Sequence, residues 1–406
     1  MKLEIKFVTL IIAFGIALGL TGTYIEKLKP DANLLLPISK TLSVFSFLGE
    51  TKQLNKIIYG FLPNWDLEQI KYIQLDKLTD IAYFGLYINK DGSFQTKLDN
   101  GSVVPSYDKW KNDPELQKLI KRSKQHNVRF AVTVISHQDD VTDSFLNCED
   151  CWKTLVNNLK NEMDEKRIRD VNLNFEYSRY TDGDKANKYT KFTNFVNKEL
   201  DKAYGNSFVV VSTFADSLVK ERVTKVEDLG KVADALFIMA YDFHRPTSET
   251  AGAVAPIDGI GVRADYDIKT MLKDYLSKVP PEKLIMGIPY YGYNWVVEKD
   301  ELNAKRIDGS EVTGYSESQS YAGIMDTILE VNPKVKWDEI TKTPYFSYIS
   351  DKTGSIREVY FDNADSLKIK YELAKQSNLA GIGIWALGYD EGYVELWKLL
   401  EKEFID

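Results

Sequence analysis

From about residue 55 to its end, the chain alternates short apolar runs with segments of helical spacing. Runs at 57–61, 80–86, 128–135, 208–213, 235–241, 284–289 and 380–387 have the length and apolar content of buried strands. An eighth differs: Val171, Leu173 and Phe175 alternate with Asn172, Asn174 and Glu176, so one strand face is apolar and the other polar. Between the runs lie amphipathic segments. Pro114 opens one, with Leu116, Leu119, Ile120 and Ser123 on a single face. Trp152, Leu155, Val156, Leu159 and Met163 make a second. Others are predicted at 189–204, stopped by Gly205, and at 266–276, 365–376 and 391–404. Eight strands alternating with helices predict an α/β fold, a (β/α)8 TIM barrel. An open doubly wound sheet would usually carry a Gly-rich phosphate turn after its first strand, and none is present. The rhythm breaks between about 296 and 360, where Gly314, Pro333, Pro344 and Gly354 separate short alternating runs. This predicts a small α+β insertion between strand 7 and the last helices.

The start of the chain changes the picture of where the barrel works. Lys2 and Lys6 precede nineteen uncharged residues, Phe7 to Ile25, which read as a signal peptide or membrane anchor over 1–25. No clean small-x-small cleavage site follows, which favours an anchor. Residues 26–54 read as a linker, and 55–406 as the barrel. The expected location is the cell surface or the extracellular space. There Cys148 and Cys151, spaced C-x-x-C, would form a small-loop disulfide. A zinc site would need two further ligands, and His137 is the nearest of only three histidines. No metal or other cofactor is expected. The net charge of −8 supplies no basic excess for phosphates, so nucleic acid is not an expected partner. Aromatic residues make up 12% of the chain and offer flat apolar faces that suit sugar rings as well as cores.

The polar face of the 171–176 segment is where chemistry is expected. In a parallel barrel the helices cover the outer strand faces, and active groups gather at the carboxyl ends of the strands. Val171, Leu173 and Phe175 would then meet the helices, and Glu176 would stand at the barrel mouth. The bland alternative is an edge strand with one wet face.

These residues also carry a resemblance. The chain from about 55 to 400 resembles the family-18 glycoside hydrolases, the chitinase-like barrels. Arg169 to Glu176 occupies the place of that family's fourth-strand D-G-x-D-x-D-x-E, and Met239-Ala240-Tyr241-Asp242 resembles its M-x-Y-D. Gly287 to Gly292 and Gly381 to Gly388, the latter containing Trp385, are similar to its seventh- and eighth-strand motifs. The resemblance implies Glu176 as general acid, with the substrate's own 2-acetamido oxygen attacking C1 in place of an enzyme nucleophile. Position 174 would hold and polarise the acetamide, and Tyr241 and Asp242 would complete the clamp. Trp385 would form the floor under the sugar, with Tyr291 and Trp295 as walls and Asn172 as a further substrate-binding position. The implied partner is a glycan containing N-acetylglucosamine. Four motif positions depart from the family: Arg169, Asp170, Asn172 and Asn174. Asn174 matters most. An amide accepts a hydrogen bond but cannot offset an oxazolinium charge, nor raise the pKa of Glu176 by repulsion.

Two functions compete. One is a hydrolase of β-1,4-linked N-acetylglucosamine glycans, chito-oligosaccharide or peptidoglycan. The other is a catalytically silent glycan-binding protein at the cell surface. Retention of Glu176, Tyr241 and Asp242 favours the hydrolase, since a binder needs no proton donor; the loss of acidic motif positions favours the binder. A membrane-tethered scaffold without sugar affinity has no supporting motif.

Overall fold

The computed structural model describes residues 56–405, apart from 182 and 221. The expected anchor and linker lie outside the described residues. Seven parallel strands come first: β1 (Ile57–Pro63), β2 (Asp80–Tyr87), β3 (Arg129–Ser136), β4 (Asp170–Phe175), β5 (Val209–Phe214), β6 (Ala235–Met239) and β7 (Leu284–Pro289). Five antiparallel strands follow: β8 (Tyr291–Val297), β9 (Glu317–Ser320), β10 (Lys336–Asp338), β11 (Thr343–Ile349) and β12 (Ile356–Phe361). The last strand, β13 (Gly381–Trp385), returns to the barrel. The barrel closes in the order β1-β13-β7-β6-β5-β4-β3-β2, and β8 to β12 form a separate sheet ordered β10-β11-β12-β8-β9. This is the expected (β/α)8 barrel with an α+β lobe. The lobe's sheet reaches back to Tyr291, because β8 turns out of the barrel directly after Pro289 and pairs with β12.

Ten α-helices are described: α1 (Pro105–Asn112), α2 (Pro114–Gln125), α3 (Asp139–Leu146), α4 (Glu149–Lys166), α5 (Asp184–Tyr204), α6 (Val226–Val232), α7 (Ile268–Leu276), α8 (Tyr321–Val331), α9 (Ala364–Gln376) and α10 (Glu395–Phe404). The long ones follow their spacing. Asp113 caps α2 by accepting from the Leu116 N–H, and α5 ends at Gly205 with φ 76°. Helices α1, α3 and α6 left little trace in the sequence, because only two or three side chains of each are buried. Cys148 and Cys151 are joined by a disulfide at the start of α4.

The alternation of β4 sorts its residues between two cores. Val171, Leu173 and Phe175 belong to the large cluster that the helices cover. The barrel interior is filled by a second cluster that includes Tyr59, Phe61, Phe84, Phe237 and Ile285. Gly287 and Gly383, paired in register, leave room for it: a Cβ on Gly383 would lie 2.1 Å from the Phe237 ring, and one on Gly287 would lie 2.9 Å from the Tyr241 ring. The seventh- and eighth-strand glycines thus let large rings fill the barrel beneath its mouth.

Candidate active site

Glu176 is the first residue beyond β4, and its N–H still donates to the Ser136 carbonyl of β3 at 3.0 Å. The barrel ladder therefore fixes the backbone that carries the carboxyl group. A third of that side chain is exposed, and it opens into a cleft of about 690 Å³ at the carboxyl ends of the strands. Asn174, Tyr241, Asp242, Tyr291 and Trp385 line the same cleft. The structure thus brings six of the eight expected residues together.

The other two stand elsewhere. Asn172 is fully buried one layer lower, where its amide exchanges hydrogen bonds with the Ser212 hydroxyl at 3.1 and 3.2 Å. It ties β4 to β5 and is not part of the cleft wall. Trp295 is not a wall either: it is fully buried in the lobe, and its Nε1 donates to the Arg245 carbonyl at 3.1 Å. It shares a face of β8 with Tyr291 and Tyr293. By its position, however, that face is covered by the Arg245 loop and by Tyr360, whose ring lies 6.1 Å away.

The polar groups form two knots. In the first, Asn174 Nδ2 donates to Glu176 Oε1 at 2.8 Å and lies 3.1 Å from His137 Nε2. His137 Nε2 is itself 3.1 Å from Glu176 Oε1. Asn174 Oδ1 is buried and has no hydrogen-bond partner among the described residues. Burial pushes the Glu176 pKa up, but His137, the Asn174 amide and Arg245 outweigh it and hold it below the usual glutamate value. In the second knot, the Tyr291 and Tyr293 hydroxyls both donate to Asp242 Oδ1, the latter at 2.6 Å. Arg245 Nε lies 3.7 Å from Asp242 Oδ2. Asp242 holds a left-handed φ of 62°, a strained backbone that marks a site where side-chain direction is fixed by its surroundings. Burial, then Asp242 and Glu176, raise the pKa of Tyr241 well above 10, so its hydroxyl remains a donor.

Beneath these knots Trp385 stands edge-on to Phe84, with centroids 4.8 Å apart, and beside Phe61 at 5.5 Å. Trp65 continues the aromatic surface outward: it is 52% exposed, and its ring lies 6.3 Å from that of Trp385. The Trp65 ring is inclined by 57° to that of Trp385, so the floor on which a sugar face can rest is the Trp385 ring, with Trp65 as an apolar rim.

Sequence reading missed His137 as a site residue, along with Tyr293, Arg245 and Trp65. Tyr293 was within reach, since it lies two residues beyond Tyr291 on the same strand face. His137 had a positional signal: it is the first residue past a barrel strand, as Glu176 is. The loop positions of Arg245 and Trp65 gave none. Among the described residues no cluster of His, Cys, Asp and Glu could hold a metal ion.

The profile of glycosyl hydrolases family 18 matches residues 50–390, and the chain belongs to that family. It is 26% identical over 259 residues to the putative sporulation-specific glycosylase YdhD of Bacillus subtilis, covering 62% of this chain and 55% of that protein. The chain thus spans little more than half the length of this relative. It is 23% identical over 330 residues to the cortical fragment-lytic enzyme of Bacillus anthracis, covering 80% of this chain and 68% of that protein. Among solved structures, the Ostrinia furnacalis Group IV chitinase in complex with allosamidin superposes with a TM-score of 0.73 at 20% identity, covering 86% of this chain and 98% of that one. The spore cortex-lytic enzyme SleL of Bacillus megaterium gives 0.67 at 21% identity, covering 87% and 75%.

Proposed function

We propose that the protein hydrolyses β-1,4-linked glycans containing N-acetylglucosamine, chito-oligosaccharide or peptidoglycan, by substrate-assisted retaining catalysis. The observation that carries this reading is the convergence of Glu176, Asn174, Tyr241 and Asp242 over the Trp385 floor in one cleft. Glu176 protonates the glycosidic oxygen while the acetamide oxygen attacks C1. Tyr241 donates to the acetamide oxygen, and the Asn174 side chain turns so that its Oδ1, which has no partner among the described residues, accepts from the acetamide N–H. Water then opens the oxazolinium ion, with Glu176 as base. Relatives named as cortical fragment-lytic enzymes, and a structural neighbour named as a chitinase, support this substrate class.

The binding-protein reading has its own support in the position of Asn174 and in a Glu176 held below its usual pKa. The test is to incubate the protein separately with chitotetraose and with purified peptidoglycan, and to look for new reducing ends by mass spectrometry. Products ending in N-acetylglucosamine support hydrolysis; tight binding of either glycan without products supports the binder. The surface location, and attachment through residues 1–25, belong to the same proposal. The disulfide supports export. Among the described residues no helix is long and apolar enough to cross a membrane.

A further inference from the structure

In a family-18 site as the resemblance describes it, a neighbouring carboxylate keeps the acid protonated by repulsion. Here that position is Asn174, and a different titratable group touches the acid: His137, at the end of β3. We propose that His137 is a positioning residue that holds one proton jointly with Glu176, so that the pair, and not the glutamate alone, is the acid of the site. The inference rests on the hydrolase reading and deepens it.

The surroundings leave the two groups to each other. Nε2 of His137 faces Glu176 Oε1 and the Asn174 amide, and the ring makes no other polar contact among the described residues. Its flanks are Phe84 and Tyr87 of β2, with ring centroids 6.0 and 5.7 Å away. From β6 and its loop come Tyr241, Asp242 and Arg245. Tyr241 is a neutral phenol, and Asp242 is engaged by two tyrosines and lies near Arg245. The Arg245 side chain is more than half exposed; its charge helps to hold the Glu176 pKa down, but a guanidinium does not give up its proton. His137 is therefore the nearest group able to give a proton to the carboxylate.

The balance of charge explains what such a pair supplies. With one proton between them, the pair is either imidazolium–carboxylate or imidazole–carboxylic acid, and both are neutral. In the second form Glu176 gives its proton to the glycosidic oxygen. The C1–O bond breaks with its electron pair on the leaving oxygen, and the acetamide oxygen supplies the pair for the new bond to C1. The oxazolinium ion is then +1 and the His137–Glu176 pair is −1. That negative charge is the glutamate's own and would arise without His137; what His137 adds is a store for the proton at a pH where a lone Glu176 would already be ionised. Water attacks C1, the bond between C1 and the acetamide oxygen breaks with its electron pair on that oxygen, and the water proton returns to the pair.

The test compares the pH dependence of kcat/KM for the wild type and for His137→Gln, which keeps a hydrogen bond to Oε1 but holds no proton. The alkaline limb of the profile is expected to move down by about one pH unit or more, so the ratio of activity at pH 7 to that at pH 5 falls about tenfold. Adding Asn174→Asp to His137→Gln is expected to move the limb back up, since a second carboxylate again keeps the glutamate protonated. A profile of unchanged shape with a uniform loss would overturn the proposal, for that is what a merely structural histidine would give.

A second measurement does not depend on turnover. The chain has three histidines, His126, His137 and His244, so imidazole NMR signals can be assigned by substitution. In the wild type the His137 ring signals are expected to respond to the ionisation of Glu176; in Glu176→Gln that response is expected to be lost, while the His126 signals are the same in both proteins. A His137 signal indifferent to Glu176→Gln overturns the pair even in an active enzyme. A coupled signal in a protein without turnover leaves the pair standing and removes only the hydrolase reading.

Discussion

Replacing a carboxylate by an amide at position 174 changes what the neighbouring acid must do alone. Asn174 holds Glu176 with a hydrogen bond to its charged form, which favours ionisation, whereas an aspartate there would oppose it. Asn174→Asp should therefore raise the Glu176 pKa, place more of the proton shared with His137 on the glutamate and carry the alkaline limb of the rate profile to higher pH. A gain in kcat of about tenfold is expected, the size of one pKa unit restored to an acid catalyst. Stopped or continuous assays across pH 4–9 would check it; an unchanged limb would separate position 174 from the acid. The sequence made the amide visible but not its partner. His137 meets Glu176 only because β3 and β4 run side by side, and that adjacency is a property of the barrel order, not of local spacing.

At the scale of elements, β4 is the piece on which the site depends. Its outward side chains pack on the helices, Phe175 against Phe145 of α3 and against Tyr189 and Phe192 of α5, and so fix the height of Glu176 above the barrel floor. Leu173 is fully buried in that layer. Leu173→Ala is expected to cost about 2–5 kcal/mol of stability, measured by urea unfolding; a loss below about 1 kcal/mol would mean the layer collapses around the gap. The alternation of this strand, the spacing of α2 and α4 and the stop at Gly205 were all legible in the chain, because each states a period or a cap directly. What escaped depends on contacts between distant segments. Trp295 reads as a sugar wall by type and position, yet the loop after β6 covers it and turns it into a support for Arg245. Asn172 reads as a mouth residue by its strand face, yet it sits one layer too low. Depth along a barrel axis is set by the stagger of the neighbouring strands, which a single strand's pattern does not contain.

For the molecule as a whole, the lobe contributes a pH-dependent term apart from the active site. Glu358 of β12 is almost wholly buried; one oxygen accepts from the Ala304 N–H, and the other lacks a partner among the described residues. Burial, only partly offset by that hydrogen bond and by Tyr360, raises its pKa to about 7. The folded state therefore binds its proton more tightly than the unfolded chain does. Stability from this group is present at acid pH and is lost as pH rises from the ordinary glutamate value through about 7. Glu358→Gln should remove a difference of about 3 kcal/mol between pH 4.5 and pH 8, seen as urea midpoints that converge. Midpoints that keep the wild-type spacing would show that the carboxyl group is solvated. The claim on which the functional account rests is that the single carboxyl group over the Trp385 floor is the proton donor. Its most direct measurement is release of reducing ends from chitotetraose and from peptidoglycan by the wild type and by Glu176→Gln, with glycan binding measured on both. The expected result is product from the wild type, a fall of about a hundredfold or more in the variant, and binding retained by both. Equal product from the two proteins would contradict the account.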